Sequence, residues 1–507
     1  KPSRTMPSEP TLACSSSGPL TAQQSMSASS RAHLSRSWSG SCTPAVAAAA
    51  FCWCLVASAR SDDLPPPMWQ TAYQNLSGVL SAGGCRSQGE SAAWAADAAD
   101  KAGRLACALG CQEHEPVLAR AFEPWWDHKM PTDALEEACR QVGEEYSLAF
   151  MGAIFQGRVF WKCCSKRGTD RCDPSLMNLG ASAHTSDRDL LLTLVAELAD
   201  MSMVPDMYFV FNTGDQPFTD KTYWSPVPQF HWVKCAGHWT IPLPNPFQLK
   251  AHFANLLGDS SEHEAFFVPW EQKVGKVYWR GSFSGPDHLL SKDMYTLPRL
   301  RLLQLAAQHP ELFNVGITGV DEEVKVHMGQ QDFQELMSRL TIVKHENLQR
   351  EQPRHRYVIN VAAVLSSWRL SELLASGSVL LLQDDASSEL IYEWLTPWEH
   401  FVPISNGLSD LVAKIQWLEA HPAQAQAIAE RGLQFFKSRV RRQDTYCYIW
   451  QAMSSLARAT ELRPLPKPGK RWTEVRLADM AERAPQHTPL RALLGATSAS
   501  GAAPLEL

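Results

Sequence analysis

The stretch that most constrains the fold is RYVINVAAVLSSWRLSELLASGSVLLLQ, residues 356–383. Its two ends are continuous runs of Val, Ile and Leu, which are typical of strands buried on both faces in a parallel sheet. Between them the pattern predicts a helix that begins around Arg369, with Ser366 and Ser367 as candidate N-caps and Gly377 at its end. This is the outline of a strand–helix–strand unit that binds nucleotides. Because it has no Gly-rich fingerprint, NAD chemistry is not expected.

The same alternation of strands and helices continues along much of the chain. Short apolar runs indicate strands, and amphipathic patterns indicate the helices between them. The predicted strands are 157–163, 207–212, 276–279, 312–315, 356–361 and 378–383, and the predicted helices include 189–200, 300–308, 369–376 and 408–420. Alternation on this scale predicts an α/β architecture with parallel sheets.

Length and composition limit the classes of protein. The 507 residues correspond to roughly three domains, or to two larger ones, at about 150 residues each. Hydrophobic residues make up 45% and charged residues 20% of the chain, which excludes wholesale disorder, a collagen-like structure and a polytopic membrane protein. The net charge of −6, without a long Lys/Arg run, argues against a nucleic-acid partner.

Four segments follow from these patterns. Residues 1–59 form a leader, 60–265 a helical segment followed by a first α/β domain, 266–462 a second α/β domain, and 463–507 a tail of low order; the resemblance described below implies that both domains are Rossmann-like. The boundary between the two domains is predicted from the Pro-rich stretch 226–246 and the loop near Gly258. No internal repeat is present.

The leader predicts export. The apolar run AVAAAAFCWCLVA, from Ala45 to Ala57, is too short to span a bilayer comfortably, which needs about 20 residues, but it fits the core of a signal peptide. Ala57-Ser58-Ala59 then resembles a cleavage site. Whether this segment is cleaved or anchors the chain stays open, as does the alternative of an Ala-rich leader or a short buried helix. Membrane contact is expected only through such an anchor.

The cysteines agree with an oxidising compartment. Eight of the nine Cys after the leader precede residue 240, without the paired spacing of a zinc site. Secreted chains use such clusters as disulfides. Cys163 or Cys164 with Cys172 would close a short loop, and Cys447 would need a distant N-terminal partner. The sequon at Asn75 is consistent with a luminal protein.

Two further stretches could carry chemistry. In PDMYFVFNTGDQPF, a strand ends near Asn212, and the following turn presents Asp215 where ligands of α/β sheets bind; this acid could be a general base, or could simply cap the turn. In KVYWRGSFSG, a strand leads to Arg280 and a Gly/Ser-rich loop that could cradle phosphate, or form a plain turn. Arg299 opens the next helix, and Arg369 opens the helix described above.

Weaker candidates have structural explanations. Asp187-Arg188-Asp189 has the DxD pattern of metal-dependent transferases, but Asp before a helix is also a cap. His400 could be a base or a hydrogen-bonded loop histidine. Trp125-Trp126 could be a platform for a sugar or part of the core.

Taken together, the motifs resemble one family. WRGSFSG, SSWRLSELLASGSVLLLQ, LIYEWLTPWEHFVPI, IAERGLQFF and QDTYCYIW are similar, in order and spacing, to segments of the CAP10-type or protein O-glucosyltransferase-like glycosyltransferases (GT90-like, with a lipopolysaccharide-modifying domain). The resemblance covers residues 146–456. It implies a GT-B-like fold, with two Rossmann-like domains facing a cleft and a C-terminal helix that crosses back. It also implies inverting transfer from a UDP-sugar, without a cofactor or an obligatory metal.

The resemblance also implies roles for residues. Asp215 would be the catalytic base, and Cys447 would pair with an N-terminal cysteine. Glu389 would contact the nucleotide or order a loop. The residues implied to bind the UDP-sugar are Arg280, Ser282, Arg299, Val364, Leu365, Ser366, Ser367, Trp368 and Arg369.

Two positions depart from the family pattern. Ala363 stands where a glycine is usual, and Thr240-Ile241 stand where Asp-Ile is usual, which puts the acceptor side or the activity in doubt. The expected function is transfer of a sugar, glucose or xylose first, to a hydroxyl of a protein or glycan in the lumen of the endoplasmic reticulum or Golgi. The alternatives are a non-catalytic carbohydrate- or protein-binding relative and a metal-dependent transferase that uses Asp187 and Asp189.

Overall fold

Two large sheets, each covered by helices, and one two-stranded sheet make up the described part of the chain. The structure, a computed structural model, describes residues 102–498 except for 107, 112–114, 126–128, 143–148, 165–182, 215–226, 236, 286–295, 322, 323, 325, 327, 386, 462–466, 470 and 471. The predicted leader therefore lies outside the described residues, as do Asp215, Cys172 and Trp126. In the described part, the helices are too short or too polar to span a bilayer.

The first sheet is mixed and has six described strands in the order β13-β2-β1-β3-β4-β6. Its strands are β1 (Ala149–Phe155), β2 (Arg158–Cys163), β3 (Met207–Asn212), β4 (Gln229–His231), β6 (Thr240–Pro242) and β13 (Thr473–Glu474). From β13 to β3 the neighbours run antiparallel, and β3, β4 and β6 run parallel. The Pro-rich stretch predicted as a boundary thus contributes strands, and Pro242 is tolerated because β6 lies at an edge.

The second sheet is entirely parallel. Its five described strands, β7 (Val274–Phe283), β8 (Phe313–Val320), β9 (His355–Asn360), β10 (Val379–Gln383) and β12 (Val402–Ile404), lie in the order β12-β10-β9-β7-β8. Four of these strands were predicted from their apolar runs. Val358 and all five residues of β10 are buried, as continuous apolar strands in a parallel sheet should be.

Helices fill the connections. Those that the structure describes are α1 (Glu115–Phe122), α2 (Thr132–Val142), α3 (Ala183–Asp200), α4 (Pro246–Phe253), α5 (Pro298–Gln308), α6 (Gln330–Arg339), α7 (Leu348–Glu351), α8 (Leu370–Ala375), α9 (Leu411–Ala420), α10 (Pro422–Arg439), α11 (Arg442–Ala459), α12 (Leu477–Arg483) and α13 (Leu490–Ser498). We call the first sheet with α1–α4 and α11–α13 the first domain, and the second sheet with α5–α10 the second domain. The predicted α/β fold, with a C-terminal helix that crosses back, is confirmed.

The returning helix α11 completes the core of the first domain. Tyr446, Tyr448 and Leu456 are fully buried in the same apolar cluster as Phe150 of β1 and Phe211 of β3. A helix that is apolar around much of its circumference must be covered on several sides. The first domain is therefore built from both ends of the described chain, with the second domain inserted between them.

The residues after 462 were predicted as a tail of low order, and the structure differs. There β13 pairs with β2, and α12 and α13 place Met480, Leu490 and Leu494 in the first core. The reason is a buried carboxylate on α3: Glu197 accepts hydrogen bonds from Tyr446 and from the Leu490 amide, and its other oxygen lies 3.0 Å from Nε2 of His487. Composition gave no sign of this partner because it depends on a tertiary contact.

Disulfides fasten the first domain. Cys447 bonds to Cys111 across 336 residues, in line with the N-terminal partner expected for it. Cys164 bonds to Cys139 rather than to Cys172, because β2 carries it beside α2. Cys163 is also disulfide-bonded.

We predict that Cys447→Ser destabilises the protein. Removing a cross-link that closes so long a loop increases the entropy of the unfolded chain. This typically lowers the free energy of unfolding by about 2–4 kcal/mol. Urea unfolding followed by tryptophan fluorescence measures this loss. Cys139→Ser, which opens a loop of 25 residues, is the control and should cost less. Equal or reversed losses would contradict the prediction.

Candidate active site

The carboxyl ends of β7 and β9 are the natural ligand site of the second domain. Strand β7 comes first in the chain, β8 lies on one side of it and β9 on the other. In parallel α/β sheets, ligands bind beyond the carboxyl ends of the strands at the point where the strand order reverses. Here that point lies between β7 and β9, at residues 281–285 and at the β9–α8 loop, residues 361–369.

Arg299, in the first turn of α5, bridges these two segments. Its side chain is 4% exposed. Nη1 donates to the carbonyl of Ser282 and to the hydroxyl of Ser284, both at 2.7 Å, and Nε donates to the carbonyl of Ala362 at 3.1 Å. The guanidinium therefore holds the ends of β7 and β9 together through neutral acceptors.

Arg369, the last residue before α8, approaches the same end of β7. Its Nη1 donates to the carbonyl of Arg280. The approach depends on a glycine: a Cβ on Gly281 would lie 2.6 Å from the ring of Trp279 and 3.3 Å from Nη2 of Arg369. A larger residue at 281 would push the guanidinium away.

The two guanidiniums form a positive pair, with Arg299 buried and Arg369 half-buried. Burial lowers the pKa of Arg299 to about 9, and the nearby charge of Arg369 adds to this shift. Burial also lowers the pKa of Arg369, opposed by the charge of Glu372. Within the described ranges neither arginine makes an ion pair with a carboxylate. Two like charges in such surroundings repel each other, and a bound anion would relieve both the repulsion and the desolvation.

The guanidinium of Arg280 is engaged elsewhere. It pairs with Glu346 through Nε at 2.8 Å, and it donates to the carbonyl and side-chain oxygens of Asn314 on β8. It also lies over the ring of Tyr278, two residues back on the same face of the strand. Of the three arginines, the structure thus brings together Arg299 and Arg369, while Arg280 contributes its backbone carbonyl.

The other predicted binding residues lie along the same edge. Ser282 follows Gly281 and donates to Asp321 at 3.3 Å. In the β9–α8 loop, Leu365, Ser366 and Ser367 are buried, and Val364 and Trp368 are half-buried. Three of these five loop side chains therefore lie in the protein interior, whereas Val364 and Trp368 remain partly accessible.

The predicted N-caps of α8 are used differently. The N-cap position belongs to Arg369, without a side-chain cap bond. The hydroxyl of Ser366 donates to Oε1 of Glu389 at 2.8 Å, and the carbonyl of Ser367 accepts from Asn360 at 3.2 Å. Gly377 ends the helix with a φ of +61°, as predicted.

Glu389 lies under this loop. It is 1% exposed, and its second oxygen accepts from Nδ2 of Asn245. Burial raises its pKa to about 8, although both hydrogen bonds favour the charged form. The acid is therefore mostly neutral at pH 7.

Asp215, the predicted base, lies outside the described residues, but its neighbour Gly214 is described. The carbonyl of Gly214 lies 3.1 Å from Nε2 of His231, and Nδ1 of His231 accepts from the Val233 amide at 3.2 Å. Burial lowers the pKa of His231 to about 4. A neutral imidazole with its proton on Nε2 satisfies both contacts, so His231 fixes the carbonyl of Gly214.

The weaker candidates fall into structural roles. Asp187 is buried and pairs with Lys250 at 2.9 Å, and Asp189 pairs with the fully buried Arg188. In the described part of the chain, three or more potential metal ligands do not cluster anywhere. Nδ1 of His400 accepts from the Thr396 amide.

Trp125 and the two positions that depart from the family pattern also have structural surroundings in the fold. Trp125 is buried edge-on against Trp239. Of the two departures, Thr240 accepts a hydrogen bond from the Cys235 amide, and Ala363 lies half-buried in the β9–α8 loop.

Three functional residues were missed from the sequence. Asn245 caps α4 by accepting from the Gln248 amide, and the pattern Asn-Pro at a helix start could have indicated it. Gln383 accepts from the Ala362 amide at 2.8 Å and so shapes the loop. His231 carried no signal, because its role depends on the distant Gly214.

Comparisons with known proteins show what the chain is similar to. The chain is 24% identical to human protein O-glucosyltransferase 3 over 370 residues, which cover 71% of the chain and 65% of that protein. It is 27% identical to zebrafish (Danio rerio) protein O-glucosyltransferase 2, over 57% of the chain and 55% of that protein. With human protein O-glucosyltransferase 1 it shares 26%, over 50% and 62%. The chain thus spans between about half and two thirds of these relatives.

Among solved structures, the GtfA/B complex is similar over 38% of each chain, at 15% identity and a TM-score of 0.26, too little to support an inference. The sequence model of glycosyl transferase family 90 matches residues 182–495, which include the whole second sheet, the returning helix and the first-sheet strands β3, β4, β6 and β13. The chain belongs to glycosyl transferase family 90.

Proposed function

We propose that the protein is an inverting glycosyltransferase that moves a sugar, glucose or xylose first, from a UDP-sugar to a hydroxyl of a protein or glycan acceptor. Membership of the family supports transfer of a sugar. The names of the three relatives support a glucosyl donor and a protein acceptor, which for this chain remain part of the proposal.

One observation carries the proposal: the paired guanidiniums of Arg299 and Arg369 at the point where the strand order reverses, neither of which forms a salt bridge with a carboxylate of the described residues. Guanidiniums suit diphosphates because they donate two parallel hydrogen bonds. The serine-rich end of β7 and the β9–α8 loop add hydroxyl and amide groups on either side. A nucleoside diphosphate is the ligand that this arrangement fits best.

The proposed reaction is a single displacement. The acceptor hydroxyl attacks the anomeric carbon, Asp215 takes its proton, and the bond from that carbon to the diphosphate oxygen breaks as the new bond forms. UDP leaves with the electron pair. The two arginines stabilise the charge that develops on the diphosphate, and fixed donors of this kind are effective because they need no reorganisation.

The proposal includes no cofactor and no obligatory metal. The two arginines would supply the positive charge that a divalent cation supplies in metal-dependent transferases. Activity that is lost with chelator and restored with a divalent cation would contradict this part. It would favour the alternative of a metal-dependent transferase that uses Asp187 and Asp189.

The proposed compartment is the secretory lumen. The described disulfides support it, because such bonds persist mainly in oxidising compartments. Membrane contact through the leader remains part of the proposal.

We predict that Arg369→Ala weakens UDP binding about 10- to 100-fold, because a hydrogen bond to a charged group contributes about 1.5–3 kcal/mol. Arg299→Ala should do the same but will also loosen the ends of β7 and β9. Isothermal titration calorimetry with UDP measures both effects. Arg301→Ala is the matched control, since Arg301 lies two residues further along α5 and is exposed. Unchanged UDP affinity in Arg369→Ala would contradict the proposed site.

We predict that Asp215→Asn abolishes transfer and hydrolysis of the UDP-sugar while UDP still binds. Loss of a general base typically costs about 10²–10⁴ in rate. The measurement is UDP release during turnover, beside calorimetry on the same sample. Full activity in the Asn variant would overturn the mechanism. A native protein that binds UDP but turns over no sugar would favour the non-catalytic alternative.

The donor is identified by thermal shift against UDP-glucose, UDP-xylose, UDP-galactose and UDP-N-acetylglucosamine. We expect the largest rise in melting temperature with UDP-glucose or UDP-xylose, because a ligand that binds only the folded state stabilises it in proportion to its affinity. UDP alone is the reference. A larger rise with one of the acetylated or galactosyl donors would change the assignment of the sugar.

A further inference from the structure

A buried acid joins the two domains beside the proposed nucleotide site. Glu389 ends β11 (Ser387–Glu389), which pairs with β5 (Val233–Cys235) of the first domain in a separate two-stranded sheet. Glu389 itself lies opposite Val233 in the register. Backbone pairing thus places Glu389 at the junction, and the contacts of its carboxyl group act in addition.

One oxygen of the Glu389 carboxyl accepts a hydrogen bond from the second domain. Oε1 accepts from the hydroxyl of Ser366, in the middle of the β9–α8 loop. That hydroxyl also interacts with the phenol of Tyr392, which accepts a further hydrogen bond from Asn360 at the carboxyl end of β9. The position of the loop relative to β9 therefore depends on this small buried network.

The other oxygen serves the first domain. Oε2 accepts from Nδ2 of Asn245, while Oδ1 of the same side chain caps α4. Asn245 is 2% exposed, so neither of its bonds is replaced by water at low cost. The start of α4 and the β9–α8 loop are thus joined through a single carboxyl group.

The first-domain side of the junction continues to the predicted base. Val233, opposite Glu389, donates its amide to His231, whose Nε2 contacts the carbonyl of Gly214. Gly214 directly precedes Asp215 in the chain. Hydrogen bonds and the β5–β11 pairing therefore connect the β9–α8 loop to the carbonyl of Gly214.

We propose that Glu389 is a positioning residue that links nucleotide binding in the second domain to the placement of the acceptor side in the first, through Ser366 and Asn245. This inference rests on the proposed function. Glu389 does not touch the reacting atoms in it; it sets the distance between the two segments that do.

The protonation state of Glu389 is part of this link. A neutral carboxyl can donate to Ser366 while accepting from Asn245, whereas the ionised form only accepts. The groups that face it are neutral donors and Tyr392, and Asp385 adds negative charge near that phenol. Ionisation would strengthen the hydrogen bond that Ser366 donates to the carboxyl and place a negative charge beside the proposed site for an anion. UDP affinity should therefore fall as the pH rises past about 8.

The key variant is Glu389→Gln, which imitates the neutral acid: its oxygen accepts from Asn245 and its amide donates to Ser366. We predict that the ratio of UDP affinity at pH 7 to that at pH 9.5 is about tenfold larger in the native protein than in Glu389→Gln, since one pKa unit corresponds to a factor of ten. Arg299 and the uracil ring titrate alike in both proteins, so the comparison cancels them.

The matched control is Glu393→Gln. Glu393 lies at the same junction and pairs with Lys234 and Arg120, but it does not contact the β9–α8 loop. It should keep the pH dependence of the native protein. If Glu393→Gln flattens the dependence as much as Glu389→Gln does, or if Glu389→Gln leaves it unchanged, the inference is overturned.

A second variant separates positioning from stability. Asn245→Ser keeps a good N-cap for α4 but cannot reach Glu389. We expect kcat to fall at least fivefold while UDP affinity stays within twofold, because the second domain keeps its own contacts. Equal losses in both, or no loss in kcat, would contradict a positioning role.

Hydrogen exchange on the ligand-free protein tests the link without relying on UDP. Asn245→Ser should speed amide exchange in the β9–α8 loop, although the substitution lies in the other domain. Unchanged exchange there would overturn the inference even if the proposed function holds. Faster exchange in a protein that binds no UDP would refute the proposed function while leaving the junction as described.

Discussion

Two neighbouring guanidinium groups, one buried and one half-buried, are the constraint on which the rest of the site depends. Arg299 and Arg369 hold the ends of β7 and β9 through carbonyl and hydroxyl oxygens, and the charges of Asp321 and Glu372 offset theirs only in part. Burying like charges together is unfavourable for folding alone. In the proposed function a bound diphosphate offsets this cost, so that ligand binding stabilises the second domain.

The sequence was informative wherever burial alone decides structure. The strands β3, β9 and β10 were predicted because uninterrupted apolar runs have few other places to go. It failed where a side chain has a distant partner. Ser366 was predicted to cap α8, but its hydroxyl serves Glu389, and Arg280 was predicted to face the anion, but Glu346 takes its charge. These partners are separated by 23 and 66 residues, beyond any local pattern.

In the proposed function, the junction between the domains explains the need for two sheets. The second domain would hold the diphosphate, whereas the predicted base belongs to the first domain. Productive geometry therefore requires that the two segments be fixed relative to each other within fractions of an ångström. The β5–β11 pair joins the two domains through backbone pairing. The side chains of Glu389, Asn245 and His231 add hydrogen bonds on either side of it.

The bond between Cys111 and Cys447 has a consequence for biogenesis. The sheet of β1–β3 leaves the ribosome long before α11, which covers it, and the whole second domain is synthesised in between. During that interval the apolar sheet is not yet covered by α11, and Cys111 does not yet have Cys447 as a partner. Nascent chains with such exposed surface are prone to misassembly. The Cys111–Cys447 bond therefore forms only after α11 has been synthesised, which makes it a late step of maturation.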